Sequence, residues 1–109
     1  MIQKNIEMIR GDTLAFDLTL TDVVATVETI FFSCKRKAAD PEYVFQKSLE
    51  DGITEVDTMK YRIRVAPEDT ADLDPGRYDY DLQLGLGADI YTILMGKLTL
   101  RQDVTEAME

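Results

Sequence analysis

The sequence predicts an all-β sandwich or barrel of seven or eight strands with one short helical crossover, and three observations carry that prediction. Apolar and polar residues alternate with a period of two at Leu14–Leu20, Met59–Val65 and Arg77–Leu84, the spacing of strands with one buried and one wet face. Turn-forming residues punctuate the chain at Gly11-Asp12, Ala39-Asp40-Pro41, Asp51-Gly52, Pro75-Gly76 and Gly85 to Gly87, so the strands between them are short. Length supplies the third: 109 residues make a single domain, 1–109, and 45% apolar residues suffice for one core without disulfide staples.

Taken in order, Lys4 to Ile9 is a weak strand candidate, interrupted by charge. Leu14, Phe16, Leu18 and Leu20 then oppose Ala15, Asp17 and Thr19 in the cleanest strand of the chain. Glu28 to Arg36 reads as a strand with Ile30, Phe32 and Cys34 inward, a parity that turns Phe31 outward. Tyr43 to Leu49 is a candidate edge strand with one charge, Lys47, inside it. Tyr61, Ile63 and Val65 oppose Lys60, Arg62 and Arg64. Pro67 to Leu73 breaks the alternation, and its leading proline and early acids Glu68 and Asp69 suit one helical turn crossing between strands. Tyr78, Tyr80, Leu82 and Leu84 oppose Arg77, Asp79, Asp81 and Gln83. In Ile90 to Leu100 the apolar parity passes from Tyr91, Ile93 and Met95 to Leu98 and Leu100, and a β-bulge at Gly96 is the expected switch. The expected core is Leu14, Phe16, Leu18, Ile30, Phe32, Cys34, Tyr61, Ile63, Val65, Tyr80, Leu82 and Ile93, within an ordered span of about residues 4–105; the last residues are expected to fray.

Two absences narrow the chemistry. Without histidine the chain lacks the usual general base near neutral pH and the commonest metal ligand. The single cysteine, Cys34, has neither a disulfide partner nor an activating group, and reads as a small core residue. The acids Asp69, Asp72, Asp74, Asp79 and Asp81 lack the spacing of a calcium loop, and no tryptophan is present to line a sugar subsite. No catalytic, cofactor or metal site is therefore expected. A formal net charge of −9 disfavours nucleic acid and anionic membranes as partners, and the run Lys35-Arg36-Lys37 is too short to offset it. No apolar run near the N-terminus has signal-peptide length, and none approaches a membrane span, so synthesis in a reducing cytosol is expected.

The segments Arg10-Gly11-Asp12-Thr13-Leu14-Ala15-Phe16, Val65-Ala66-Pro67-Glu68-Asp69-Thr70, Leu73 to Gln83 and Tyr91-Thr92-Ile93 occur in that order. Together the set resembles the immunoglobulin-like N-terminal domain of bacteriophage and prophage tail proteins, the baseplate upper protein family in particular. The likeness runs from about Asn5 to Asp103-Val104-Thr105; the stretch Asp22 to Val27 departs from it in carrying no glycine or proline. The resemblance implies an immunoglobulin-like sandwich acting as an assembly module in a tail or baseplate, a homo-oligomer or a partner of neighbouring tail proteins. It also implies synthesis in the cytoplasm of a bacterial host followed by incorporation in the virion tail, with no catalysis.

Phe31, Tyr43 and Val44 are the expected partner contacts: the first by parity, the others by their place on an unprotected edge. Pro75, Gly76, Tyr78 and Gly96 are the expected structural residues, with the Tyr78 hydroxyl tied to nearby backbone at the sandwich corner. The alternative from another class is a glycan-binding module aiding host-surface adsorption, using Phe31, Tyr43 and Tyr91.

Overall fold

Alternation becomes strand wherever the sequence shows it, and in two places where it does not. A computed structural model describes residues 2–20 and 27–104. It contains β1 (Ile2–Gln3), β2 (Ile6–Ile9), β3 (Leu14–Thr19), β4 (Thr29–Lys35), β5 (Phe45–Leu49), β6 (Gly52–Asp57), β7 (Lys60–Val65), α1 (Pro67–Thr70), β8 (Gly76–Leu86) and β9 (Asp89–Arg101). Most of the stretch Asp22 to Val27 and the terminal residues expected to fray lie outside the described residues.

β1 and β2 both run parallel to β9 in one register, Ile2 opposite Leu94 and Ile6 opposite Leu98, so they are one edge strand broken at Lys4 and Asn5. From that edge the order is β9, β8, β4, β5, then β6, β7, β3. The link between β5 and β6 is only the pairs Ser48–Gly52 and Leu49–Ile53, at a corner where Glu50 and Gly52 take φ of 67° and 97°. Beyond that corner the chain curls back, so that β3 faces β4 across the core: the rings of Phe16 and Phe32 meet edge to face at 5.5 Å.

Phe32 is wholly buried and also touches Phe45 and Tyr80 at centroid distances of 6.0 and 5.5 Å. In antibody domains this place holds a disulfide with a tryptophan against it. Here rings from β3, β4, β5 and β8 fill it. Ile30, Phe32, Cys34, Tyr61, Ile63, Val65, Tyr80 and Leu82 are buried as expected. Leu14, Phe16, Leu18 and Ile93 are only partly covered: the first three because β3 is the outer strand of its layer, Ile93 for a reason given below. Burial pushes the Cys34 thiol up to about 12, with Asp79 adding to the effect. Cys34 is therefore expected to react with a thiol reagent only as fast as the protein unfolds, since the thiolate is the nucleophile; labelling of the native protein at the rate of free cysteine would overturn the inward register of β4.

The crossover is tied to every side of the sandwich. Asp69 accepts from the Ala66 amide, closing the first turn of α1, and its carboxylate also pairs with Lys47 of β5 at 2.7 Å. Lys47 shares the inward parity of Phe45 and Leu49; β5, expected as an edge strand, lies instead between β4 and β6 and turns its one charge inward to Asp69. Thr70, wholly buried, accepts from the Gly11 amide, and Arg10 reaches both Asp103 and the Leu73 carbonyl.

Pro75 and Gly76 turn the chain into β8, Gly76 at a φ of 149° that other residues resist. Just beyond, the Tyr78 hydroxyl donates to the Asp74 carbonyl oxygen, and Arg36 lies over the ring at 5.5 Å. Tyr78→Phe is expected to lose about 0.5–1.5 kcal/mol, the net worth of one hydrogen bond, read as a lower urea midpoint with an unchanged slope. An unmoved midpoint would make the ring alone responsible.

Gly96 corrects the sequence reading. It sits opposite Tyr80 in regular pairing without positive φ, and the register shift falls between Leu82 and Gln83, where Ile93 is the extra residue on β9. Parity therefore changes at Ile93, leaving Leu94, Leu98 and Leu100 inward and Met95 outward. Gly96 is required for a different reason: a β-carbon there would overlap the Lys4 carbonyl, which also accepts the Tyr80 hydroxyl.

Candidate functional site

In antiparallel pairs, residues directly opposite share a face. On the outer side of β5, β4, β8 and β9 this arranges the side chains in three rows. Ser48, Phe31, Gln83 and Thr92 form the first, Gln46, Ser33, Asp81 and Met95 the second, and Lys35, Asp79 and Lys97 the third. A shallow open groove of about 480 Å³ lies over the middle of these rows.

Phe31, half-buried, forms part of its floor, and Tyr43, half exposed, rises at one side. The Lys35 ammonium stands 5.0 Å above the centre of the Tyr43 ring. Gln46 donates to Ser33 at 2.9 Å. Asp79 accepts from Lys97 and from the Ala38 amide; the Lys97 hydrogen bond holds its carboxyl below the ordinary carboxylate range, burial acting the other way. Asp81 behaves oppositely: burial raises its pKa, with Lys35 opposing. Two carboxylates two residues apart on one strand thus differ because only one has a cation in contact.

Of the residues expected to meet a partner, Phe31 and Tyr43 border the groove and Val44 does not. Val44 is half-buried, packs against the core and donates its amide to the Cys34 carbonyl, so it continues the β4–β5 ladder instead of offering an edge. Pro75, Gly76 and Tyr78 lie at the corner away from the groove; Gly96 borders it as backbone. Tyr91 is paired with the inward Leu84 and stands at the end of the sandwich. Sequence reasoning missed Met95, because the bulge was placed three residues too late, and missed that Asp81 lies at the groove's centre, because rows appear only once the register of three strand pairs is known.

Among the described residues, no cluster of three or more His, Cys, Asp or Glu side chains could hold a metal, and no helix is long and apolar enough to cross a membrane. What the site can do chemically is bind: it offers aromatic and thioether surface, amide and hydroxyl groups, and one carboxylate without a cation in contact.

Neither a protein-family model nor a curated protein sequence matches the chain. Solved structures do. The chain is similar to part of an endo-beta-1,4-mannanase from Thermotoga petrophila, with TM-score 0.61 and 11% identity over 91% of this chain and 18% of the enzyme, so it spans under a fifth of that protein. It is similar to the NK cell receptor Nkp44, with TM-score 0.56 and 12% identity over 94% of this chain and 100% of that one. The extracellular domain of the voltage-gated sodium channel beta4 subunit matches with TM-score 0.50 and 16% identity, over 94% and 93%. At such identities likeness extends to the fold alone, and with the strand order it gives the conclusion that the chain is an all-β, immunoglobulin-like sandwich.

Proposed function

We propose that the protein is a non-enzymatic structural component of a phage or prophage tail or baseplate, an assembly module that works through protein–protein contact, made in the bacterial cytoplasm and carried into the virion. The observation that supports it best is the outer face of the larger layer, where Phe31, Tyr43 and Met95 surround hydrogen-bonding groups on a rigid sheet. An open surface of mixed aromatic and polar character suits a protein partner better than a small substrate, which needs a deeper enclosure. The tail setting comes from the ordered sequence segments described above.

Catalysis is not part of the proposal. Asp79 is committed to Lys97, and Asp79 and Asp81 project side by side from one strand instead of flanking a cleft as a glycosidase pair does. The mannanase likeness covers too little of that enzyme to bring its activity here. A glycan-binding role is the second reading, favoured by the half-exposed Tyr43 beside Gln46 and Gln83.

Phe31→Glu separates the two. Its outward position leaves the fold intact, and it is expected to weaken capture of identified tail proteins at least about tenfold, as loss of a central aromatic contact does. Co-purification with mass-spectrometric identification reads this. Saturable binding on a glycan array that Phe31→Glu and Tyr43→Ala abolish, with no tail protein captured by the parent chain, would replace the assembly reading with the glycan one.

A further inference from the structure

The outer face of the larger layer holds one charge that its own neighbours do not answer. Asp79 has Lys97 and the Ala38 amide, and Lys35 rests over Tyr43. Asp81, one row further on, makes no hydrogen bond or ion pair with the described residues, and burial works against its charged form with only Lys35, not in contact, opposing. Its flanks, Phe31 and Met95, would shed water from any cation seated on it, and a charge pair is stronger where water is excluded.

Charge also indicates the occupant. The chain carries a formal −9, yet Lys35 and Lys97 cancel Asp79 and Asp81 on this face. A strongly basic partner would be drawn to the acidic remainder of the surface, whereas a neutral face with apolar flanks matches another of its own kind, where two like-charged chains meet without bringing excess charge together. The face also carries both halves of a pair. Lys35 lies diagonal to Asp81 on the adjacent strand, but its ammonium rests over Tyr43 instead of on the carboxylate, which leaves both groups placed for a reciprocal exchange between two copies. A two-fold axis lying in the contact plane, perpendicular to the line between those residues, sets each against its opposite number, as isologous interfaces require.

We propose that two copies of this chain pair through the outer face of β5, β4, β8 and β9, Asp81 of each receiving Lys35 of the other between Phe31 and Met95. The pairing rests on the assembly reading above and specifies its first contact.

Sedimentation equilibrium across a concentration series tests it. Asp81→Lys and Lys35→Asp are each expected to raise the dimer Kd at least about tenfold, and the double exchange to return it to within about threefold of the parent, because reversed partners attract again. Arg64→Asp, on the opposite outer face, is expected to leave Kd unchanged, and unaltered urea midpoints show that each variant folds. A parent chain that stays monomeric at millimolar concentration, association indifferent to both single reversals, or a double variant no better than either single one overturns the pairing. The tail role is read separately: a monomeric chain still captured by identified tail proteins keeps that role and ends the pairing, while reversal-sensitive dimers that capture none keep the pairing and end the role.

Discussion

Phe32→Ala is expected to remove about 3–5 kcal/mol, the range for deleting a fully buried phenylalanine. The ring is wholly buried between the layers and touches aromatic rings from β3, β5 and β8, so truncation deletes three aromatic contacts as well as buried area. Strand backbones on both sides are held about 10 Å apart by all the other inward side chains, which prevents the void from closing. Against a domain stability of about 5–15 kcal/mol, such a loss leaves the variant close to unfolding at room temperature. Urea denaturation followed by circular dichroism measures it, with Phe32→Leu as the comparison, expected to lose under about 1.5–3 kcal/mol because most of the volume remains. Equal losses in the two variants would mean that the layers do collapse onto the vacancy.

Gly96→Ala is expected to cost about 2–4 kcal/mol, combining steric displacement with lost hydrogen bonds. A single methyl group suffices, because it would occupy the place of the Lys4 carbonyl. Moving that carbonyl breaks the Tyr80 hydroxyl bond to it, the Lys4 amide bond to Met95 and the Lys97 amide bond to Asn5. The damage is directional. Amide hydrogen exchange should accelerate along β1 and β2 and far less at β4 or β7. Gly96→Asn separates this cause from backbone strain: asparagine tolerates positive φ, so a bulge needing that conformation would accept it, whereas a close approach rejects it as firmly as alanine.

Alternation made the two-layer fold legible because most strands have one wet face, and β3, β7 and β8 could be assigned with their parity. β6 escaped notice since its inward Ile53 is followed by four exposed residues, Val56 among them, which erase the period, with a pairing irregularity between Glu55 and Asp57. The break between β1 and β2 depends on Gly96, far away in sequence, and nothing local to Lys4 or Asn5 announces it. The bulge was legible as a change of parity but not in position, because glycine is a weaker marker of bulges than the side chains that must be seated inward; Leu94 decides the matter by burial. For the groove, Phe31 and Tyr43 could be found from parity and from an exposed edge. Val44 could not be told from them, as its amide bond to Cys34 belongs to a ladder that begins before the apparent strand.

The parallel pairing of β1 and β2 with β9 has a consequence for how the chain is made. During synthesis the N-terminal segment leaves the ribosome well before its only strand partner exists, since the partner is the last strand translated among those described. β8 likewise waits on one side for β9. The nascent polypeptide can therefore form β3, β6 and β7 early, but its larger layer stays incomplete until the final strand inserts between two elements already waiting, a closure across the greatest loop length the chain offers. Until then the waiting edges are open to chaperones, to a neighbouring nascent chain or to aggregation, and the interval before the last strand arrives is when this protein is most dependent on protection.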